Sequence, residues 1–424
     1  MSQETLLRIE CIRCGASAGQ APFHAGCPLC AERDEHANFR TVYDLERARP
    51  AFEPEAMAGR EVDMWRYDAL LPFAAGEAVS LGEGGTPLVA APRLARRVGV
   101  RVLWIKDESR NPTWSFKDRS NAVGATHARA LGSPALVVSS TGNAAAATAA
   151  YARRAGIPAI VLVAKSVDPI MSGFVQSYGA HVVMTETKPD RWVMMKHCVE
   201  AWDCYPTGNY QTPPVGLNPY MTDGYKTIGF EIWEQLGRRA PDWIFAPAGY
   251  TNGLAGIFQG FQELAAMGLA AVPHLGAAEI YGSLVRAIEE GSDVVQPARI
   301  DRPTVAISIG TSQNTYQAVA AIRGSGGTAT QVADEEILSA QERMIESEGM
   351  FPETTSATGL AALIRELEAG RISRDAEVVI VMTSTGLKSL NVTAHLRPPV
   401  PMAHSVESFS EVLKATYGFN PEAE

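Results

Sequence analysis

Lys106-Asp107-Glu108-Ser109-Arg110-Asn111-Pro112-Thr113-Trp114-Ser115-Phe116-Lys117-Asp118-Arg119 is the stretch whose reading decides the fold. It continues an apolar, branched run, Val102–Ile105, that reads as a buried strand, and it leads into an alanine-rich helical pattern beginning near Ser120. Lys117 therefore stands where a strand gives way to a helix. The positive end of a helix dipole disfavours an ammonium at that place. A lysine needed as a neutral nucleophile, as in a Schiff base with an aldehyde cofactor, gains from it. A lone lysine is more often a solvated surface charge, so its companions decide the matter.

Working outward, short apolar runs alternate with longer helical stretches from residue 100 onward. Val102–Ile105, Ala135–Val138, Ala159–Val163, His181–Met184, Trp243–Ala246, Leu275–Glu279, Val305–Ile309 and Val378–Met382 read as strands. Helical patterns lie at Ala144–Ala155, Tyr225–Leu236, Leu254–Ala266, Asp334–Ser347 and Thr358–Leu367. This alternation predicts an α/β fold with parallel sheets covered on both faces. Ligands then bind beyond the carboxyl ends of the strands.

Three strand ends carry small polar loops at such places. Ser139-Ser140-Thr141-Gly142-Asn143 precedes a helix, and a helix cap accounts for one polar residue there but not for five. Pro247-Ala248-Gly249-Tyr250-Thr251-Asn252-Gly253 reads as an anion cradle. It lacks the Gly-Lys-Ser/Thr ending of a nucleotide-hydrolase loop. Thr383-Ser384-Thr385-Gly386-Leu387-Lys388 brings hydroxyls to the end of a buried strand. A lysine, an Asn loop, a phosphate cradle and a terminal hydroxyl together meet the needs of pyridoxal phosphate. Gly82-Glu83-Gly84-Gly85-Thr86-Pro87-Leu88 reads as a turn, without the strand-to-helix setting of a dinucleotide fingerprint.

Toward the N-terminus, Cys11-Ile12-Arg13-Cys14 and Cys27-Pro28-Leu29-Cys30 form two Cys-x-x-Cys knuckles. Four thiolates at this spacing make a closed tetrahedral zinc site, structural because no position stays open to substrate. His24 and His36 are read as bystanders, and Cys198 and Cys204 as free thiols. Residues 42 to 75, with Arg49-Pro50, Pro54 and Leu71-Pro72, read as a connecting arm with one or two short helices. The net charge of -10 argues against a nucleic-acid partner and gives no help at an acidic membrane surface. No apolar run reaches the length of a membrane span, and Met1-Ser2-Gln3-Glu4 lacks a signal-peptide layout, so the expected compartment is the cytoplasm.

In the order of these motifs the sequence resembles the threonine synthases, within the tryptophan-synthase-β (type II) fold of pyridoxal-phosphate enzymes. The resemblance covers roughly residues 80 to 390. It rests on the stretches 82–88, 111–119, Ser140-Thr141-Gly142-Asn143 through Ala149-Ala150-Tyr151-Ala152, Asn218-Pro219-Tyr220 through Lys226-Thr227, 247–253 and 383–388. It implies two open parallel-sheet domains plus a small N-terminal zinc-ribbon-like module. Residues 1–41 would be that module, 42–124 with 236–400 the large cofactor-binding domain, 125–235 a small inserted α/β domain, and 401–424 a tail, helical near Ser408–Tyr417. It also implies a homodimer.

Carried over, Lys117 holds the cofactor and shuttles protons. Asn143 bonds its phenolic oxygen, the backbone of Gly249, Tyr250, Thr251, Asn252 and Gly253 holds its phosphate, and Thr383 faces the ring nitrogen. Ser140, Thr141, Gly142 and Lys226 contact a small amino-acid substrate. A neutral hydroxyl at the ring nitrogen favours chemistry in which a carbanion quickly expels a leaving group. The implied reaction is elimination from O-phosphohomoserine followed by water addition to give threonine. The alternative is β-elimination or β-replacement on a serine-, threonine- or cysteine-type substrate, and a non-catalytic pyridoxal-phosphate-binding protein is a third reading.

Three positions depart from the family pattern. Ala144-Ala145 stands where Thr-Ser is usual, Met221 where an arginine is usual, and Trp114 where a glycine is usual. All three are expected on the substrate side, and loss of a buried arginine contact to phosphate is worth about 2–5 kcal/mol. Lys226, Arg119 and Arg191 remain as other sources of positive charge. Trp65, Trp104, Trp192, Trp202, Trp233 and Trp243 are read as packing residues.

Overall fold

Glu377–Met382 is buried along its whole length, as a strand covered on both faces must be. Val378, Ile380 and Met382 enter one hydrophobic cluster and Val379 and Val381 another, so alternate side chains feed opposite layers. A computed structural model describes residues 4–18, 24–165, 169–390 and 400–420. Two compact units divide the chain, Met1–Lys388 and Ser389–Glu424.

The first unit contains three sheets. In the largest the order is β12 (Thr328–Gln331), β11 (His274–Glu279), β10 (Trp243–Pro247), β13 (Glu377–Met382), β5 (Val102–Asp107) and β4 (Leu88–Ala90). Its pairings are parallel except that of β4 with β5. A four-stranded parallel sheet has the order β8 (His181–Thr185), β7 (Ala159–Ala164), β6 (Leu136–Ser139), β9 (Tyr205–Pro206). A small antiparallel sheet, β2 (Ser17–Ala18), β1 (Leu6–Cys11) and β3 (Phe39–Tyr43), carries the cysteine knuckles.

Short helices α1 (Pro28–Ala31), α2 (Leu45–Ala48) and α3 (Pro54–Met57) precede α4 (Pro92–Val98). The helices that frame the sheets are α5 (Lys117–Leu131), α6 (Asn143–Ala155), α7 (Pro169–Ser177), α8 (Lys188–Trp202), α9 (Pro219–Gln235), α10 (Asn252–Ala266), α11 (Ser283–Glu289), α12 (Tyr316–Gly324), α13 (Asp334–Glu348) and α14 (Thr354–Glu368). In the second unit, α15 (Val406–Tyr417) opens on a Ser405–Ser408 capping box, and none of its residues is buried. The expected domain limit at 400 adjoins residues 391–399, which lie outside the described residues, as do Met1 to Gln3.

Val305–Ile309 is not a strand. Ile307–Ile309 forms a 3-10 turn with Ile307 exposed, while the sheet edge beside β11 is taken by the polar run Thr328–Gln331. Trp202 is 55% exposed and packs only on the surface, edge-on against His197 at 5.0 Å.

A buried ionic network locks the elements that carry Lys117. Arg119, one turn into α5, donates to both carboxylate oxygens of Glu108 at 2.7 Å and to those of Glu231 at 2.7 and 2.8 Å. Lys106 Nζ reaches Glu231 at 2.6 Å. Glu231 also accepts from the backbone N–H of Gly85 at 2.8 Å, while Glu83 accepts from Trp65 Nε1 at 2.6 Å and the Tyr151 hydroxyl at 2.7 Å. A Cβ at Gly84 or Gly85 would fall 2.3 Å from Met64 N or 2.1 Å from Val62 O, so this turn is a packing device.

Candidate active site

Three helices, α5, α6 and α10, begin without a side-chain cap; their N-cap residues are Phe116, Gly142 and Thr251. An uncapped first turn leaves a positive dipole end at each and free N–H donors at α6 and α10, while in α5 the N–H groups of Asp118 and Arg119 are taken by the Ser115 and Phe116 carbonyls. The three ends meet. The Ser384 hydroxyl lies 3.1 Å from the Trp114 carbonyl oxygen and 3.2 Å from Asn143 Oδ1, joining α6 to the loop before Lys117. A Cβ on Gly253 would lie 2.7 Å from Phe116 Cε2, so α10 abuts the cap of α5.

Lys117 is half-buried, its Nζ 4.5 Å from the Phe116 ring centroid and 5.7 Å from that of Tyr225. Both rings offer their faces to a cation. The segment before it is tied down by Phe116 N donating to the Thr383 carbonyl at 2.9 Å and by a bridge between Ser115 and Ser384. The buried hydroxyls of Ser115 and Ser139 have no partner among the described residues. Orphan hydroxyls, a small-residue cradle and convergent helix N-termini beside a lysine fit a phosphorylated aldehyde.

Asn143 is held from both sides. Its Nδ2 donates to Glu353 Oε2 at 2.6 Å, and its Oδ1 accepts from Lys388 Nζ at 2.7 Å. Lys388 also donates to the Thr113 carbonyl, and Ser308 Oγ donates to Glu353 Oε1 at 2.7 Å. Burial lowers the Lys388 pKa to about 8, against the attraction of Asp118 and Glu353. Asp118 is pushed up to about 7 by burial, although it accepts two hydrogen bonds from Thr113. Thr383 Oγ1 lies 2.9 Å from Ser356 Oγ. Glu353 and Ser356 escaped the sequence reading; their signal was a polar run, Glu353-Thr354-Thr355-Ser356, opening an apolar helix.

In the loop 247–253 the side chains serve the loop itself. Thr251 Oγ1 donates to Asn314 Oδ1 at 2.7 Å, and Asn252 Oδ1 accepts from Leu217 N and Gln317 Nε2. Thr315 and Gln317 both donate to the Tyr250 carbonyl. What this loop offers a phosphate is backbone N–H. At 140–142, Gly142 N donates to Ser140 Oγ at 3.3 Å, and all three residues are only half-buried.

Lys226 is elsewhere. Its Nζ is fully enclosed, 3.0 Å from Glu263 Oε1, 3.1 Å from Asp223 Oδ1 and 4.2 Å from the Tyr43 ring centroid. It follows Tyr225 on α9 but points to the opposite side, toward β3, so it does not meet the residues around Lys117. Met221 is likewise fully buried, its thioether packed where a Cβ at Gly124 of α5 would be 3.0 Å away. It does not face the cleft. Trp114 is 47% exposed at φ 61° and pairs with Phe174 of α7 at 5.5 Å, while Ala144 lies in the first turn of α6.

Far from Lys117 in sequence, the Sγ atoms of Cys11, Cys14, Cys27 and Cys30 lie within 4.8 Å of one another, with Cys11–Cys30 at 3.6 Å and Cys14–Cys27 at 3.8 Å. A tetrahedron with bonds of about 2.3 Å has edges of about 3.8 Å.

The family described as pyridoxal-phosphate dependent enzyme matches residues 79–384. The threonine synthase of Methanosarcina acetivorans is 35% identical over 391 residues, covering 90% of this chain and 92% of that protein. That of Methanocaldococcus jannaschii is 35% identical over 355 residues, covering 82% and 86%. In fold, the chain is similar to maize serine racemase, with a TM-score of 0.63 at 20% identity over 73% of this chain and 91% of that one. It is also similar to a fungal L-serine ammonia-lyase from Rhizomucor miehei, with a TM-score of 0.62 at 22% identity over 73% and 96%.

Proposed function

The chain belongs to the threonine synthase family of pyridoxal-phosphate dependent enzymes, and from that premise we propose that it expels the leaving group of O-phosphohomoserine and adds water to give threonine. The observation that carries this reading is the meeting of three uncapped helix N-termini beside Lys117.

Bound there, the cofactor supplies a sink for electron density at the substrate α carbon. Lys117 would anchor it, and its amine, beside the rings of Phe116 and Tyr225, would carry the α proton. Asn143, clamped by Glu353 and Lys388, orients the ring through its amide. The N–H groups at 249–253 receive the phosphate. The half-exposed donors of Ser140, Thr141 and Gly142 receive the substrate carboxylate. Thr383, bonded to Ser356, gives the ring nitrogen a neutral partner, which favours rapid loss of a leaving group.

The four cysteines are read as a structural zinc site, on the match between their spacing and a zinc tetrahedron. The division at 41, 124, 235 and 400, a homodimer and a cytoplasmic location belong to the same reading. Among the described residues no helix is long and apolar enough to cross a membrane.

A second reading, β-elimination on a serine-type substrate, is favoured by Ala144 and Ala145, which put no hydroxyl in the first turn of α6. The test is parallel assay of phosphate release and threonine formation from O-phosphohomoserine. Equal amounts of both products support the proposal. Keto-acid formation from serine or threonine, without phosphate release, replaces it with the second reading.

A further inference from the structure

Of the three cations the sequence offered to the substrate, two are already consumed. Arg119 is enclosed by Glu108 and Glu231, and Lys226 by Asp223 and Glu263. Arg191 differs. It is 9% exposed, its Nε is buried without a partner, and among the described residues it makes no hydrogen bond or ion pair. Its two terminal nitrogens are neither bonded to the described residues nor sealed off, so the fork keeps its charge and opens to solvent, free to take an anion. Burial disfavours its charged form, and the neighbouring Tyr250 opposes this.

Its place in the fold says where a partner would come from. Arg191 lies in the first turns of α8, directly after β8, so it sits beyond the same sheet edge as the 139–143 loop that follows β6. Its neighbour Trp192 packs edge-on against Tyr250 at 6.4 Å, and Tyr250 belongs to the loop after β10 in the other sheet. Arg191 thus lies at the carboxyl end of the small sheet, beside Tyr250 of the loop that begins α10.

We propose that Arg191, with Tyr250 beside it, is the cleft's receptor for the terminal phosphate-class oxyanion of the substrate. This rests on the reading of the protein as an amino-acid lyase and supplies the positive charge that Met221, packed into α5, does not. The cofactor's own phosphate has the backbone donors of α10; the arginine fork is left for a second anion.

The test uses the holoenzyme with inorganic phosphate as probe, followed by melting temperature and tryptophan fluorescence, for the unchanged protein, Arg191→Gln and Arg191→Lys. Arg191→Gln is expected to weaken phosphate binding about tenfold or more. It should raise the KM for O-phosphohomoserine by a similar factor with little change in kcat, since the contact is made in both ground and transition states. Arg191→Lys recovers part of the loss. Pyridoxal phosphate retention, read from the visible band, stays within about twofold, and the phosphate-free variant melts close to the parent because the side chain has no hydrogen bond among the described residues to lose. Unchanged phosphate affinity in Arg191→Gln overturns the proposal. So does a parallel loss of cofactor, which would assign Arg191 to the cofactor's phosphate. If phosphate binds through Arg191 but O-phosphohomoserine is not turned over, the receptor stands and the proposed substrate falls. Turnover with a KM indifferent to Arg191 gives the opposite result.

Discussion

Replacing Lys226 by methionine separates a structural cation from a substrate-binding one. The ammonium sits 3.0 Å from Glu263 Oε1 and 3.1 Å from Asp223 Oδ1, with no exposure. Asp223 also accepts from the hydroxyls of Tyr43 at 2.5 Å and Thr41 at 2.7 Å, so this cluster fastens β3 to α9 and α10. Methionine keeps the volume and leaves two buried carboxylates facing each other, a loss of about 3–5 kcal/mol. In a chain of this size that is a fall of roughly 3–6 °C in Tm.

The loss depends on pH in a stated direction. Burial and the Asp223 charge raise the Glu263 pKa to about 7, and Lys226 opposes the rise. Burial raises the Asp223 pKa as well, again opposed by Lys226. A carboxyl whose folded pKa exceeds its unfolded value binds more protons when folded, so stability falls as pH climbs between the two. Without Lys226 both values rise further, so the variant's deficit is smallest near about pH 5 and widens toward about pH 8. Urea unfolding of the holoenzyme at the two pH values measures it. Turnover per bound cofactor should stay within about threefold of the parent. A variant of unchanged stability whose KM rises more than about tenfold would refute the argument and return Lys226 to the substrate.

Two further outcomes follow from positions the structure moved. Met221→Arg, on the family pattern a restoration, buries a guanidinium against Gly124 and should cost about 3 kcal/mol or more, seen as a lower urea midpoint; a stable variant with improved phosphate release would contradict the packing. Purified protein should carry about one zinc per chain by atomic emission, and Cys27→Ser or a chelator should remove it and lower the Tm; metal-free protein of full stability would sink the zinc assignment.

The sequence was most legible where one constraint acts alone. Glu377–Met382 reads as a strand because burial on both faces demands an unbroken apolar run, and Lys117 reads as a nucleophile because strand end and helix start coincide. Val305–Ile309 has the same local pattern, yet its backbone is claimed by side chains, Val305 N donating to Asp334 and Val305 O accepting from Thr354. Thr328–Gln331 took the edge beside β11 although it is polar, because Thr330 finds Glu366 at 2.6 Å. Side-chain direction was the least legible feature. Tyr225 and Lys226 are adjacent, and one faces Lys117 while the other pairs with Asp223 and Glu263. Met221 faces α5, which only the packing of α9 determines. That the Arg191 side chain finds no partner among the described residues is likewise a fact of three dimensions, invisible in a residue string.

The central claim is that Lys117, and not the nearby Lys388, holds the cofactor. Lys388, its pKa lowered to about 8 by burial, is the rival that burial alone would select. Borohydride reduction of the holoenzyme, proteolysis and mass spectrometry decide between them. The account predicts the pyridoxyl mass on the peptide containing Lys117, and none after Lys117→Ala. The same mass on the Lys388 peptide of the unchanged protein would contradict it.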